Sequence, residues 1–188
     1  ASIICYVLFS EKERGNELYA AAGDRGQANI LFSIVSNMVL QNKELSSRAK
    51  VFRNSITNES KGNFFQAISS DSKTKHGYSA GCVIMDELHV QPNRDLYDTL
   101  LTSTGARLEP LFISITTAGY NKNSIGWEVY NYAKQVQNKL IEDPSFYSAI
   151  YEADLDDDIT DEEVWKKANP NYGISLRKEY MRRESQRA

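Results

Sequence analysis

The sequence predicts an α/β fold: a mostly parallel central sheet with flanking helices, followed by a short helical segment. Three observations carry that reading. Strand-like and helix-like segments alternate from Ala1 to Tyr151. Two of the strand segments, 81–85 and 111–115, are continuously apolar rather than alternating, the pattern of strands covered on both faces. One stretch, 28–39, repeats apolar residues at helical spacing.

Taken in order, Ile4, Val7 and Leu8 mark a helix over 1–14 that stops at Arg14-Gly15. No cap residue precedes it, so the chain is expected to begin inside a helix. Residues 17–22 form a short apolar run, a candidate buried strand. Asp24 followed three residues on by Gln27 resembles a capping box. Behind it, Ala28, Leu31, Phe32, Val35, Met38 and Val39 share one face of a helix reaching about Leu40. Residues 49–52 and 64–68 read as strands separated by the polar stretch 54–63, and 69–76 reads as a loop. The strand 81–85 runs into Asp86-Glu87. A helix over 95–103 is expected to turn Leu96, Leu100 and Leu101 inward. Pro110 opens a second buried strand, 111–115, which ends at Thr116-Thr117-Ala118-Gly119. Val129, Ala133, Val136 and Leu140 mark a helix over 124–141, and 146–151 is the last strand.

At Glu152 the character changes. Glu152, Asp154, Asp156, Asp157 and Asp158 form an acidic run. Thr160-Asp161-Glu162-Glu163 reads as a capping box for a short helix carrying Val164 and Trp165. Asn169-Pro170-Asn171-Tyr172-Gly173 breaks that helix, and Ser175 is expected to cap a basic final helix with Arg177, Lys178, Arg182, Arg183 and Arg187. The boundary is placed near 153, giving a core over 1–153 and an appendage over 154–188.

Composition narrows the function classes. The 188 residues are 41% hydrophobic and 25% charged, ordinary for a soluble globular domain. No apolar run reaches the length of a membrane span, and neither a basic start nor a small-residue cleavage site accompanies the run 1–9, so no signal peptide is expected. The formal net charge of −3 provides no global basic field toward nucleic acid. It leaves room for a module that handles DNA within a larger assembly. Cys5 and Cys82 read as reduced core thiols of an intracellular protein. With His76 and His89 they show no zinc-ligand spacing.

The chemistry concentrates at two strand ends. Four apolar residues bury a strand, and Asp86 and Glu87 then emerge together. In a nucleotide hydrolase the first acid holds magnesium, usually through water, beside the β and γ phosphates. The second orients and polarises the attacking water. A strand ending in an acidic turn is the plain alternative. Thr116 and Thr117 close the next strand, where hydroxyls can sense a γ phosphate or bond Glu87. A Thr-rich strand passing into a glycine turn is the alternative there.

Together these features resemble the ATPase domain of phage terminase large subunits. Asp86-Glu87-Leu88-His89 resembles the family's Walker B segment. Ile115-Thr116-Thr117-Ala118-Gly119 resembles its coupling motif. The segment Tyr19 to Ala28 is similar to the strand and helix that follow the Walker A helix, and Arg107 to an arginine ahead of the coupling strand. The segment Trp165 to Gly173 is similar to the linker toward the nuclease domain. The order and spacing agree over essentially the whole chain. The resemblance implies a P-loop NTPase-like fold of the additional-strand glutamate type, with magnesium and ATP as cofactor and fuel and double-stranded DNA as cargo. It also implies the terminase small subunit and the portal protein as partners, a homo-oligomeric ring, and the bacterial host cytoplasm as location. Carried over, Asp86 holds magnesium, Glu87 is the catalytic base, and Thr116, Thr117 and Gly119 couple hydrolysis to movement. Gln27 is a candidate nucleotide ligand, although the capping box already accounts for it. His89 is a candidate bridge to the coupling motif or an exposed loop histidine. Arg107 is a candidate trans-acting finger or a surface ion-pair partner.

The sequence departs from the family in two respects: it contains no Gly-x-x-x-x-Gly-Lys-Ser/Thr, Lys61-Gly62 having the reverse order, and the nuclease domain that the resemblance implies after Ala188 is not part of it. The expectation is a partial ATPase core, cut at both ends by domain trimming or prophage decay and inactive alone. Two other readings stay open: a non-catalytic prophage remnant with a structural or assembly-contact role, and a helicase-like ATPase core.

Overall fold

A computed structural model of the chain describes residues 1–10, 13–70 and 77–187. Residues 11–12, 71–76 and 188 lie outside them, and with them His76 and parts of the predicted first helix and the 69–76 loop. Residue contacts divide the chain into two compact units, 1–132 and 133–188. The division falls ahead of the compositional shift near 153.

In the first unit six strands form one sheet. They are β1 (Glu17–Ala22), β2 (Lys50–Val51), β3 (Ser55–Asn58), β4 (Asn63–Ser69), β5 (Ala80–Asp86) and β6 (Leu111–Ile115), in the order β2-β3-β4-β1-β5-β6. β4, β1, β5 and β6 run parallel, while β2 and β3 are antiparallel additions at one side. The helices are α1 (Ser2–Ser10), α2 (Arg25–Gln41), α3 (Lys43–Ser46), α4 (Asp95–Ser103) and α5 (Ile125–Gln137), the last crossing the division.

The pleat explains why the central strands are apolar throughout. Alternate residues point to opposite faces. Leu18, Ala20, Cys82 and Ile84 enter one core with Ile4 and Leu8 of α1 and Phe32, Val35 and Val39 of α2. Tyr19, Ala21, Val83 and Met85 enter a second core with Leu88, Leu96, Leu100 and Ile125. Both cysteines are free and buried. The carbonyl end of α1 is met by side chains: Asn58 Nδ2 donates to Leu8 O at 3.0 Å and Arg48 to Phe9 O at 2.9 Å. α2 starts as the capping box predicts, with Asp24 Oδ1 accepting from Gln27 N at 3.0 Å.

The structure corrects several expectations in this unit. β3 lies inside the stretch read as a polar separator, because pairing with β4 needs only its backbone and the buried Ile56. β6 is the outermost strand rather than a buried one. Phe112 and Ile113 pack against the two cores, but Leu111 and Ile115 are 41% and 54% exposed. Leu101 lies off the inward face that Leu96 and Leu100 share at i,i+4 and is exposed. α5 stops at Gln137 instead of Ile141, because Lys139 adopts a left-handed conformation (φ 58°) that closes the helix.

In the second unit, residues 146–151 form no strand; among the described residues no ladder partner pairs with them. α6 (Glu162–Ala168) is capped by Asp161, whose Oδ1 accepts from Glu163 N at 2.9 Å. Thr160 is not the cap, since its hydroxyl and amide are both held by Asp158 Oδ1, at 2.7 and 2.8 Å. α7 (Lys178–Ser185) starts after Ser175, which lies within a turn closed by the Gly173 N to Leu176 O bond of 2.8 Å. The acidic run and the basic helix are both partly paired. Lys167 bridges Asp154 and Asp157, and Glu162 takes Lys178 and Arg182, each at 3.3 Å. Among the described residues no helix is long and apolar enough to cross a membrane.

Candidate functional site

Four parallel strands point their carboxyl ends to the same edge of the sheet, where ligands of open α/β sheets gather. β5 delivers Asp86 as its last residue, in register with Ile115 of β6, so Thr116 follows directly beside it. Asp86 is half-buried and its Oδ1 accepts from Glu87 N at 3.1 Å. Glu87 then leaves the strand in a left-handed conformation, φ 52° and ψ 54°. That kink starts a single 3-10 turn, Leu88–Val90.

Within this turn three residues meet. His89 Nδ1 lies 3.1 Å from Glu87 Oε2 and 2.9 Å from Thr116 Oγ1. The His89 backbone N–H also donates to Thr116 Oγ1, at 3.0 Å. The Thr116 hydroxyl donates its own proton to Thr117 O at 3.0 Å. Thr116 Oγ1 thus meets both the His89 amide and the imidazole Nδ1. The same ring nitrogen faces Glu87 Oε2. That oxygen is buried against the ring. Glu87 and Thr116 are thus separated by one imidazole ring.

The arrangement joins Asp86, Glu87, His89, Thr116, Thr117 and Gly119. Thr117 contributes its carbonyl, and Gly119 its lack of a side chain: a Cβ there would stand 2.9 Å from His89 Cβ. Gln27 sits exposed in the first turn of α2, which follows β1 at the same edge of the sheet, with its backbone N–H spent on the cap. Arg107 is not brought to this edge. Its Nε donates to Ser79 O at 2.9 Å, just before β5 begins, and its Nη2 to Gly15 O at 2.6 Å, just before β1 begins. Glu13 pairs with it at 3.3 Å. It therefore lies at the opposite end of the seven-residue β5, roughly 20 Å from Asp86 at 3.3 Å per residue. Its side chain is 9% exposed. In this chain the guanidinium is engaged at the two strand entries and with Glu13.

Two participants escape sequence reasoning. Gly23 and Gly126 flank the 3-10 turn: a Cβ at Gly23 would meet Val90 O at 3.1 Å, and one at Gly126 would meet His89 Cα at 2.9 Å. The glycines themselves are visible in the sequence, but which backbone each one abuts is settled only by the packing of the β1–α2 and β6–α5 connections. Gln91, 6% exposed, closes the far side of the turn and accepts from Ser70 Oγ at 2.6 Å.

Comparison with known proteins gives a consistent picture. Residues 1–135 match the family described as terminase large subunit, ATPase domain. Protein YmfN of Escherichia coli K12 is 38% identical over 112 residues, covering 60% of this chain and 25% of that protein. The large subunit of terminase from Enterobacteria phage HK97 is 29% identical, covering 99% of this chain and 37% of that one. The chain thus spans between a quarter and two fifths of the length of these relatives. Among solved structures, the HK97 bacteriophage large terminase superposes with a TM-score of 0.84 at 25% identity, over 99% of this chain and 39% of the other. A large terminase from a thermophilic bacteriophage, solved in complex with ATP-gamma-S, shares the fold at 18% identity and a TM-score of 0.51, over 73% of this chain and 32% of its own.

Proposed function

The chain belongs to the terminase large subunit ATPase domain family, and from that premise we propose that it forms part of an ATP-driven motor that moves double-stranded DNA into a viral prohead. The observation that supports this reading best is the Glu87–His89–Thr116 linkage. A carboxylate placed to act on water is tied through one ring to the end of the neighbouring strand, so a change at the acid is felt by β6.

In this reading Glu87 is the catalytic base. Its carboxylate, with Oε2 buried against His89, accepts a proton from the water that attacks the γ phosphate. Asp86 would hold magnesium. A half-buried carboxylate at the end of a strand is the hard oxygen donor that this ion takes, and one protein carboxylate with several waters is an ordinary magnesium site. When bound, magnesium would neutralise phosphate charge. His89 orients Glu87, Thr116 and Thr117 carry its position into the β6–α5 segment, and Gly119 lets His89 approach. Gln27, exposed at the same edge, is a secondary nucleotide ligand. Residues 154–188 act as a helical linker toward a nuclease domain of the whole protein. The terminase small subunit and the portal protein are its proposed partners, with further copies in a ring, in the host cytoplasm.

The test uses the intact protein. Glu87→Gln keeps size and hydrogen bonding but removes the base, so ATP turnover is expected to fall on the order of a hundredfold while ATP binding persists. Turnover near the parent rate would remove Glu87 from the base role. The 188 residues alone carry no glycine-lysine phosphate loop and are expected to bind magnesium-ATP weakly and not to turn it over, which a calorimetric titration and a phosphate-release assay would check.

A further inference from the structure

The residues after Glu87 do not set their own position. The turn Leu88–Val90 makes few bonds of its own: Val90 N to Glu87 O at 3.0 Å and Gln91 N to Leu88 O at 3.3 Å. It is held from outside by the segment from β6 into α5, which approaches at two glycines. A Cβ at Gly119 would stand 2.9 Å from His89 Cβ. The closest approach to backbone is at Gly126, the second residue of α5. A Cβ there would lie 2.9 Å from His89 Cα, 3.2 Å from His89 N and 3.4 Å from the Leu88 carbonyl carbon. These neighbours are main chain and cannot swing aside as the end of a long side chain would. The first turn of α5 is itself fixed. Ser124 Oγ accepts from Trp127 N at 3.2 Å and donates to Asn121 O at 2.7 Å, and Ile125 is buried in the core that also holds Leu88.

We propose that Gly126 is a positioning residue for Glu87: by carrying no side chain it lets the first turn of α5 pack against the His89 backbone, and so fixes where the imidazole stands between Glu87 Oε2 and Thr116 Oγ1. The inference rests on the reading of Glu87 as the base, and it adds α5 to the machinery. His89 N, the group nearest the Gly126 approach after Cα, is the same N–H that bonds Thr116. A push on this amide therefore moves the donor that ties the turn to β6, and the ring attached to the same residue moves with it. A displacement on the order of 1 Å at a reacting group costs up to about a hundredfold in rate. Substrate affinity is set elsewhere and should not follow.

The experiment is made on the intact protein with Gly126→Ala, Ser124→Ala and Gly105→Ala. Gly126→Ala should lower kcat for ATP about tenfold or more, with KM for magnesium-ATP within about twofold of the parent. Ser124→Ala adds no atoms and only loosens the start of α5; it should lower kcat severalfold with the same unchanged KM, and it decides the matter if Gly126→Ala does not fold. Gly105→Ala, whose Cβ would meet nothing within 4 Å, should change neither. The second readout is the His89 imidazole in the nitrogen-15 spectrum. The ring-nitrogen resonances of the parent should shift or broaden in Gly126→Ala and stay in Gly105→Ala. An unshifted resonance in Gly126→Ala, or kcat within about twofold of the parent in both α5 variants, overturns the proposal, as does a KM that rises in step with the loss of kcat. If Glu87→Gln retains turnover while Gly126→Ala still shifts the His89 resonance, the positioning contact stands and the base assignment alone falls.

Discussion

Cys82 lies within β5, wholly buried between Leu18 of β1 and Leu111 of β6 in the sheet register. Burial pushes its thiol from 9.0 up to about 12. In the unfolded chain the same thiol ionises near ~8.5. Between those values the unfolded state has released a proton that the folded state keeps. The folded form's advantage is therefore full below about pH 9 and declines as pH rises toward about 12. Tyr19 adds to the decline, since burial and then its hydrogen bond to Glu17 raise its pKa as well. The melting temperature is expected to drop through this alkaline window, and Cys82→Ala should flatten part of the drop. A Cys82→Ala profile parallel to the parent's would show that the thiol does not contribute. The residue scale is also where the site was most legible. Asp86, Glu87 and Thr116 are chemical groups at the ends of apolar runs, and a run of letters displays them directly. Gly126 is not legible in that way, because its role is the space it leaves for a backbone thirty-odd positions earlier.

Arg107 shows how elements are fastened. Its guanidinium donates to Ser79 O and Gly15 O, the residues that lead into β5 and β1, and pairs with Glu13. Arg107→Ala would leave those carbonyls and a mostly buried carboxylate without their donor. The expected loss is about 2–4 kcal/mol in denaturant unfolding. Arg107→Lys should recover only part, because one ammonium cannot span both strand entries as the planar fork does. A loss below about 0.5 kcal/mol for Arg107→Ala would mean that the strand starts hold without it. The same element scale explains what the sequence concealed. β1, β5 and α2 were readable because burial on both faces of a strand, or on one face of a helix, writes itself into continuous or periodic apolarity. β3, with the sequence SITN, has one buried apolar side chain, and its ladder uses only backbone. Residues 146–151 carry strand-like letters, yet no partner offers them a ladder. α7 begins later than its sequence suggests because Ser175 is taken by a turn.

At the scale of the whole molecule, the first unit is a sheet with two finished faces, each covered by a core, while along its outer margin the β6 backbone pairs, among the described residues, only inward, with β5. Leu111 and Ile115 stand exposed on that strand. An open, apolar, uncharged margin of this kind is a template on which another copy's strand can add. The chain held in isolation should therefore show limited solubility, through edge-to-edge sheet growth rather than through unfolding. Leu111→Lys places a charge on the margin at a position that contributes little to either core. It should raise the concentration at which light scattering begins, with the melting temperature nearly unchanged. Equal scattering for parent and variant would show that the open margin does not limit solubility.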